Sequence, residues 1–301
     1  MWVLLAVFSA ILLGTYDVAK KQALRKNGTF AVLLVATALS TLFVSPFLRI
    51  GPAEDHLKLA LKAVLVTASW VSGMEGLKRL PLTTVSTIKG SRPVFVVLFS
   101  IILFGERLNW MQWLGIAIVL GALYMLGFTS RRDASAQVRK TGFIWMGISV
   151  LTGVASALYD KYIMKGMEPM FVQSWTNLFI TVILALCVLV KRLAISGRAS
   201  SDRLRPRSRE SEGALPASSD KFRWDWTLVL VAVLITGADA LYFFALKQPD
   251  ALLSIISVVR RASVLVTFVL GAIIFHEGNI RAKGLNMLLM AAGVVLLLIG
   301  S

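Results

Sequence analysis

Charge is scarce in this chain. Only 16% of its 301 residues are Asp, Glu, Lys or Arg, well below the quarter expected of a soluble domain, and 57% are hydrophobic, so its solvent must be largely lipid. Outside residues 197–223 no polar stretch is long enough to build a soluble unit. The single cysteine, Cys187, rules out a disulfide within the chain, and its apolar surroundings argue against thiol chemistry. Two histidines, His56 and His276, cannot by themselves hold a metal. The sequence also lacks a phosphate loop, a nucleophile elbow and paired catalytic carboxylates in a polar setting. Neither a catalytic residue nor a cofactor is therefore expected.

What fills the chain instead is a series of apolar runs, each near the roughly 17–25 residues that cross a hydrocarbon core. They predict helices at 2–19, 30–50, 57–77, 82–104, 109–129, 142–163, 170–194, 224–246, 250–275 and 280–300. The runs are too long and too evenly apolar for the alternating strands of a barrel, and backbone groups in lipid must be satisfied within their own segment. The expected fold is an all-α membrane protein of ten transmembrane helices, with both termini on one side. The first run has no Lys or Arg before it and ends in Tyr16, Asp17, Lys20 and Lys21 without a small-residue cleavage site. It is expected to be a retained helix and not a secretory signal.

The net charge of +16 concentrates in the odd-numbered loops, which hold about three times as many Lys and Arg as the even-numbered ones. Loops rich in these residues stay cytoplasmic, which places the protein in the inner membrane with both termini outside the cytoplasm. Residues 197–223, rich in Ser, Arg and Glu, read as a disordered basic loop. Topology retention and attraction to anionic lipid head groups account for the charge, so membrane lipids and not nucleic acid are the expected partners.

The chain repeats itself. Lys89 aligns with Arg260, and the same shift sets Phe104-Gly105-Glu106 against Phe275-His276-Glu277. Leu77-Lys78 corresponds to Leu246-Lys247, and Tyr16-Asp17 to Tyr159-Asp160. This predicts a first repeat over 1–129, a linker over 130–141 and a second repeat over 142–300. Five spans per repeat force the halves into opposite orientations, the inverted-topology arrangement of many secondary transporters, with a site at the midplane and alternating access around it.

The run from Gly76-Leu77-Lys78-Arg79-Leu80-Pro81 through Arg92-Pro93-Val94 to Phe104-Gly105-Glu106-Arg107, echoed by Ala245-Leu246-Lys247 through Glu277 to Gly300, resembles the drug/metabolite transporter superfamily with two EamA-type repeats. The resemblance implies a central cavity lined mainly by helices 1, 3, 4, 6, 8 and 9, with helices 5 and 10 at the periphery. Relatives often carry Glu where this chain has Arg92, and studied members keep their termini in the cytoplasm, against the charge bias here.

Lys89, Arg92, Arg260 and Arg261 fall inside helices. Each cation costs roughly 2.5–3.5 kcal/mol at a helix centre, while a Leu or Ile returns only about 0.3–0.6. They are expected to face a wet cavity or acidic partners. Lys89 and Arg92 share a helix face, and with Arg260 they would bring positive charge from both halves to one site, favouring an anionic small-molecule substrate held by carboxylate or phosphate. Arg260-Arg261 also resembles the Lys-Arg pair of the plastid phosphate-translocator branch. Trp70, Tyr242 and Asn177, and also Trp175, are candidates to hold the substrate body.

Alternatively the cations are structural, neutralised by Asp17, Glu75, Asp160 and Asp239. Asp17 and Asp160, beside Lys20, Lys21 and Lys161, read as gating pairs, and Glu75 and Asp239 as carriers for coupling protons. A counter-substrate is the other coupling partner considered. Ala117 and Gly121, spaced by four, predict close helix packing. Two other functions compete: a proton-coupled exporter of amino acids or amphipathic drugs, and a lipid-phosphate flippase or intramembrane enzyme. The second would need a reactive constellation that the sequence does not display.

Overall fold

A computed structural model describes residues 1–24, 27–77, 79–80, 88–89, 91–129, 140–202, 223–275 and 280–300. Among them the ordered elements are helical: α1 (Trp2–Leu24), α2 (Thr29–Val44), a 3-10 turn (Ser45–Phe47), α3 (Ala53–Leu77), α4 (Arg92–Phe104), α5 (Trp110–Thr129), α6 (Lys140–Met164), α7 (Pro169–Asp202), α8 (Trp226–Lys247), α9 (Leu253–Arg261), α10 (Ser263–Phe275) and α11 (Ile280–Ile299). Six of these, α1, α2 with its turn, α3, α6, the first part of α7 and α8, are long and apolar enough to cross a membrane, and α4, α5 and α11 contribute shorter apolar stretches.

Several boundaries differ from the sequence expectation for local reasons. The second helix ends at Val44 because Pro46 cannot donate to the helical ladder, leaving a 3-10 turn in place of a continuation to residue 50. Helix α3 begins four residues earlier than expected, with Glu54 and Asp55 in its first turn, where the helix dipole favours acids. Helix α7 runs on to Asp202, so residues 197–202 are helical and not part of a disordered loop; no proline interrupts the run before Pro206. Residues 203–222 and most of the 130–141 linker lie outside the described residues, as do Lys78, His276 and Glu277.

The ninth apolar run is not one helix. It breaks at Ala262, between α9 and α10, immediately after Arg260-Arg261. The Ala262 N–H donates to the Val259 carbonyl (3.0 Å) and the Leu265 N–H to the Ala262 carbonyl (2.8 Å). In the first half, the Ser91 N–H donates to the Ile88 carbonyl (3.1 Å) and the Val94 N–H to the Ser91 carbonyl (3.0 Å). These are the same bonds at the positions matched by the shift that pairs Lys89 with Arg260. Arg260 and Arg261 fall in the last turn of α9, where the terminal carbonyls favour positive charge.

Helix α1 packs along α8, α3 along α6 and α5 along α11; α4 and α1 both meet α9, and α7 lies against α2 and α3. Gly14 lets α1 approach the α9/α10 break, since a Cβ there would lie 2.5 Å from Val266 Cβ and 2.6 Å from the Ser263 carbonyl oxygen. The α5/α11 pair closes on Gly115 and Gly293, where a Cβ on Gly115 would come within 2.9 Å of the Gly293 carbonyl oxygen. Ala117 and Gly121, the pair expected to make such a contact, instead face outward, with open space beside Gly121; the seam runs along the other side of α5.

Two polar devices tie the halves together. Asn109 and Gln112 cap α5 reciprocally, Gln112 N–H to Asn109 Oδ1 (2.8 Å) and Asn109 N–H to Gln112 Oε1 (2.9 Å), and both amides also donate to the Gly300 carbonyl at the end of α11. Gly105 closes α4 with φ +63°, a left-handed conformation that glycine adopts without strain. The turn carries buried Glu106 to the start of α9, where its carboxylate accepts from the Leu253 N–H (2.7 Å), the Ser254 N–H (3.1 Å) and the Ser254 hydroxyl. The sequence placed Glu106 in a turn; the fold makes it the N-terminal cap of a helix from the other half.

Candidate functional site

Between the helices lies a cavity of about 550 Å³, within the size range of small-molecule sites. Helices α1, α3, α4, α6, α8 and α9 line it, as the resemblance implies, and α2 and α7 contribute as well. All seven residues proposed from sequence as substrate contacts, Lys89, Arg92, Arg260, Arg261, Trp70, Tyr242 and Asn177, border this one space. Of the four acids, Asp160 and Asp239 line it; Asp17 and Glu75 are not among the lining residues.

The charge on the walls is unbalanced. Among the described residues six cations, Lys20, Lys62, Lys89, Arg92, Arg260 and Arg261, face two carboxylates. Both carboxylates are engaged. Asp239 Oδ1 accepts from Arg260 Nη2 at 2.8 Å, and that guanidinium lies 4.2 Å from the centre of the Tyr242 ring, a cation–π arrangement. The Tyr242 hydroxyl donates to Asp160 Oδ2 (3.2 Å), and Asp160 Oδ1 pairs with Lys62 Nζ at 2.6 Å. Lys62 Nζ in turn sits 4.0 Å from the Phe243 ring centre. A chain of interactions thus runs from α8 and α9 through α6 to α3.

Lys89, Arg92 and Arg261 make no ion pair among the described residues. Arg92 donates to the Gly153 carbonyl, and the buried Arg261 Nε has no hydrogen-bond partner. The three are close enough to repel one another electrostatically. Two glycines make room for them: a Cβ on Gly153 would lie 2.8 Å from Arg92 Cζ, and one on Gly73 would lie 3.3 Å from Lys89 Nζ.

The remaining candidates fall elsewhere. Asp17 is exposed on α1 and interacts electrostatically with Lys20, Arg261 and Lys89. Glu75 pairs with Arg79, just past the end of α3 (2.6 Å), and is not among the cavity's lining residues. Asp160, read as one of the two gating acids, is instead buried, because α3 and α8 pack against α6. Its partner is Lys62 and not the adjacent Lys161, which reaches across to the Ala251 carbonyl. Trp175 does not line the cavity; its indole N–H donates to the Arg49 carbonyl (2.9 Å) and its ring meets His56 edge-on at 4.3 Å. Among the described residues no cluster of His, Cys, Asp or Glu could hold a metal.

Lys62 is the residue that sequence reasoning missed. Its side chain is only 3% exposed. The available signal was its place in the apolar run Leu61-Lys62-Ala63-Val64-Leu65, where a cation needs a partner.

Comparison with known proteins accords with this architecture. Residues 1–128 match the EamA-like transporter family. A Sinorhizobium sp protein named "Uncharacterized transporter in cobO 3'region" is 29% identical over 136 residues, covering 42% of this chain and 95% of that protein. A protein known from a crystal structure superposes with a TM-score of 0.72 over 98% of this chain and 95% of its own, at 15% identity, a likeness of fold alone. Its apolar helices make the chain a multi-pass membrane protein, similar over its first 128 residues to the EamA-like transporter family.

Proposed function

We propose that this protein is a secondary transporter that carries a small organic anion across the inner membrane by alternating access, with ten spans arranged as two inverted five-helix repeats, residues 1–129 and 142–300. The observation that carries the anionic substrate is the cavity charge. Among the described residues six cations and two carboxylates line it, both carboxylates are already paired, and the other four cations, Lys20, Lys89, Arg92 and Arg261, outnumber Asp17, the one further acid that interacts with them from outside the lining, so an entering anion completes the balance. Cations inside a membrane protein are costly without a partner, and a substrate carboxylate or phosphate supplies one, bidentately for arginine.

The repeat reading is supported by the matched hydrogen bonds at Ser91 and Ala262. Discontinuous helices at a site between inverted halves are a recurring arrangement of secondary transporters. In this reading the halves rock about the cavity, Arg260 and Asp239 exchanging partners with the substrate as it binds. The charge bias of the loops orients both termini outside the cytoplasm, and a C-terminal reporter active only in the periplasm is the outcome that agrees.

The test is thermal stabilisation of the purified, detergent-solubilised protein by a panel of metabolites, since a ligand that binds only the folded state raises its apparent stability. Carboxylated or phosphorylated compounds are expected to stabilise the wild type and to lose most of that effect in Arg261→Gln. Stabilisation by cationic or zwitterionic compounds alone would overturn the anion reading and assign the site to Asp160 and Asp239.

A further inference from the structure

The cavity is far larger than a compact anion requires. At about 30 Å³ per water in the liquid, its 550 Å³ equals roughly eighteen waters, several times the space of a phosphate or acetate ion. Its walls also differ in kind. Leu33 on α2, Val66, Trp70 and Met74 on α3, and Ile180 on α7 all border the cavity, and the same five belong to a single apolar cluster distinct from the main core. Of the lining cations, Lys20, Arg92, Arg260 and Arg261 come from α1, α4 and α9, α9 packing on both others as α7 packs on α2 and α3, while Lys62 on α3 is held by Asp160.

From this division we infer that the substrate is an amphipathic organic anion: one carboxylate or phosphate head held at Arg92 and Arg261, and an apolar, aryl or alkyl, body lying against Trp70, Met74 and Ile180. A compact or polyhydroxylated anion would leave the apolar cluster wetted and most of the volume filled by water. An apolar body removes that surface from water, and the gain grows with each group buried, about fourfold in affinity per methylene. Among the described residues, the α2, α3 and α7 wall carries polar groups at Lys62, Thr176 and Asn177; Lys62 is already paired with Asp160 (2.6 Å) and the Asn177 amide donates to the Ser40 hydroxyl (2.8 Å). That leaves little with which to bind a row of substrate hydroxyls. Specificity then divides between the two walls, the head deciding whether a compound binds and the body deciding how tightly.

This inference rests on the anion-transporter reading, and the experiment separates the two. The full-length protein in lipid nanodiscs is titrated with acetate, butyrate, phenylacetate and 3-phenylpropionate, with 2-phenylethanol as the uncharged control, and dissociation constants are taken from thermal stabilisation. The wild type should bind phenylacetate at least tenfold tighter than acetate, bind 3-phenylpropionate tighter still, and show no response to 2-phenylethanol. In Trp70→Ala the advantage of the aryl acids should shrink at least fivefold, while Trp70→Phe and Met74→Leu, which keep the wall apolar and serve if Trp70→Ala does not fold, should retain it. Aryl and alkyl acids binding no more tightly than acetate, or an aryl advantage that survives in Trp70→Ala, would overturn the amphipathic substrate and leave the anion reading standing. No response to any of the acids, or binding of 2-phenylethanol as tight as that of phenylacetate, would remove both.

Discussion

Lys62→Met isolates what the buried ion pair contributes. Lys62 and Asp160 have side chains 3% and 9% exposed, and their charged atoms lie 2.6 Å apart. At an effective dielectric of about 20, two unit charges at that distance attract by about 6 kcal/mol, a gain that the desolvation of both groups largely offsets. Removing the lysine alone cancels the attraction but keeps most of the cost. Asp160 would remain buried with the Tyr242 hydroxyl at 3.2 Å as its chief partner. The expected loss is about 3–5 kcal/mol, which at roughly 2–4 °C per kcal/mol for a chain of this class lowers the apparent melting temperature by on the order of 10 °C. Asp160→Leu alone should cost a similar amount, because it strands the ammonium against the Phe243 ring. The double variant Lys62→Met/Asp160→Leu should recover most of the loss, giving a coupling energy of roughly 3 kcal/mol. Melting curves of the four proteins in one detergent, followed by the loss of the monodisperse peak, provide the measurement. Single variants that each cost under about 1 kcal/mol and add without coupling would refute the account, and would mean that water reaches the pair in the folded protein.

Three further outcomes follow from the geometry. Gly153→Ala places a methyl 2.8 Å from Arg92 Cζ; the flexible guanidinium should swing away from the Gly153 carbonyl, lowering anion-induced stabilisation severalfold while the melting temperature of the unliganded protein changes little, and an unchanged anion response would show that Arg92 does not act from that position. Glu106→Ala removes the cap of α9, a loss of about 1–2 kcal/mol on the usual scale of helix caps, and Glu106→Gln should recover part of it; thermal melting of the pair checks both. Gly115→Val forces side-chain atoms onto the Gly293 carbonyl and Leu297 and should cost about 1–3 kcal/mol by overpacking, whereas Gly121→Ala, facing open space, should be neutral within about 0.5 kcal/mol.

The membrane setting and the helical class were legible because they depend on composition and run length, which need no knowledge of what meets what. A chain with so few charges must be solvated by lipid, and in lipid its backbone must satisfy itself. The intramembrane cations were legible for the same reason: Lys89, Arg92, Arg260 and Arg261 stand out against an apolar background, and their cost demands a polar destination, which the fold supplies as one cavity. Partnership was not legible. The sequence put Asp160 beside Lys161, whereas the folded chain gives it Lys62, nearly a hundred positions away, because α3 packs along α6. Glu106 likewise read as a turn residue until α9 arrived to be capped by it. Spacing alone chose Ala117 and Gly121 for the helix seam, and only packing revealed that Gly115 and Gly293 form it.

The sequence by itself thus determined the solvent, the helical class and which residues are too costly to face lipid, since each of these is a local balance between a side chain and its medium. Tertiary structure alone decided which acid neutralises which base, which cations remain for a ligand and which apolar faces border them. Those outcomes depend on distances of a few ångströms between helices remote in the chain, and no local preference encodes them.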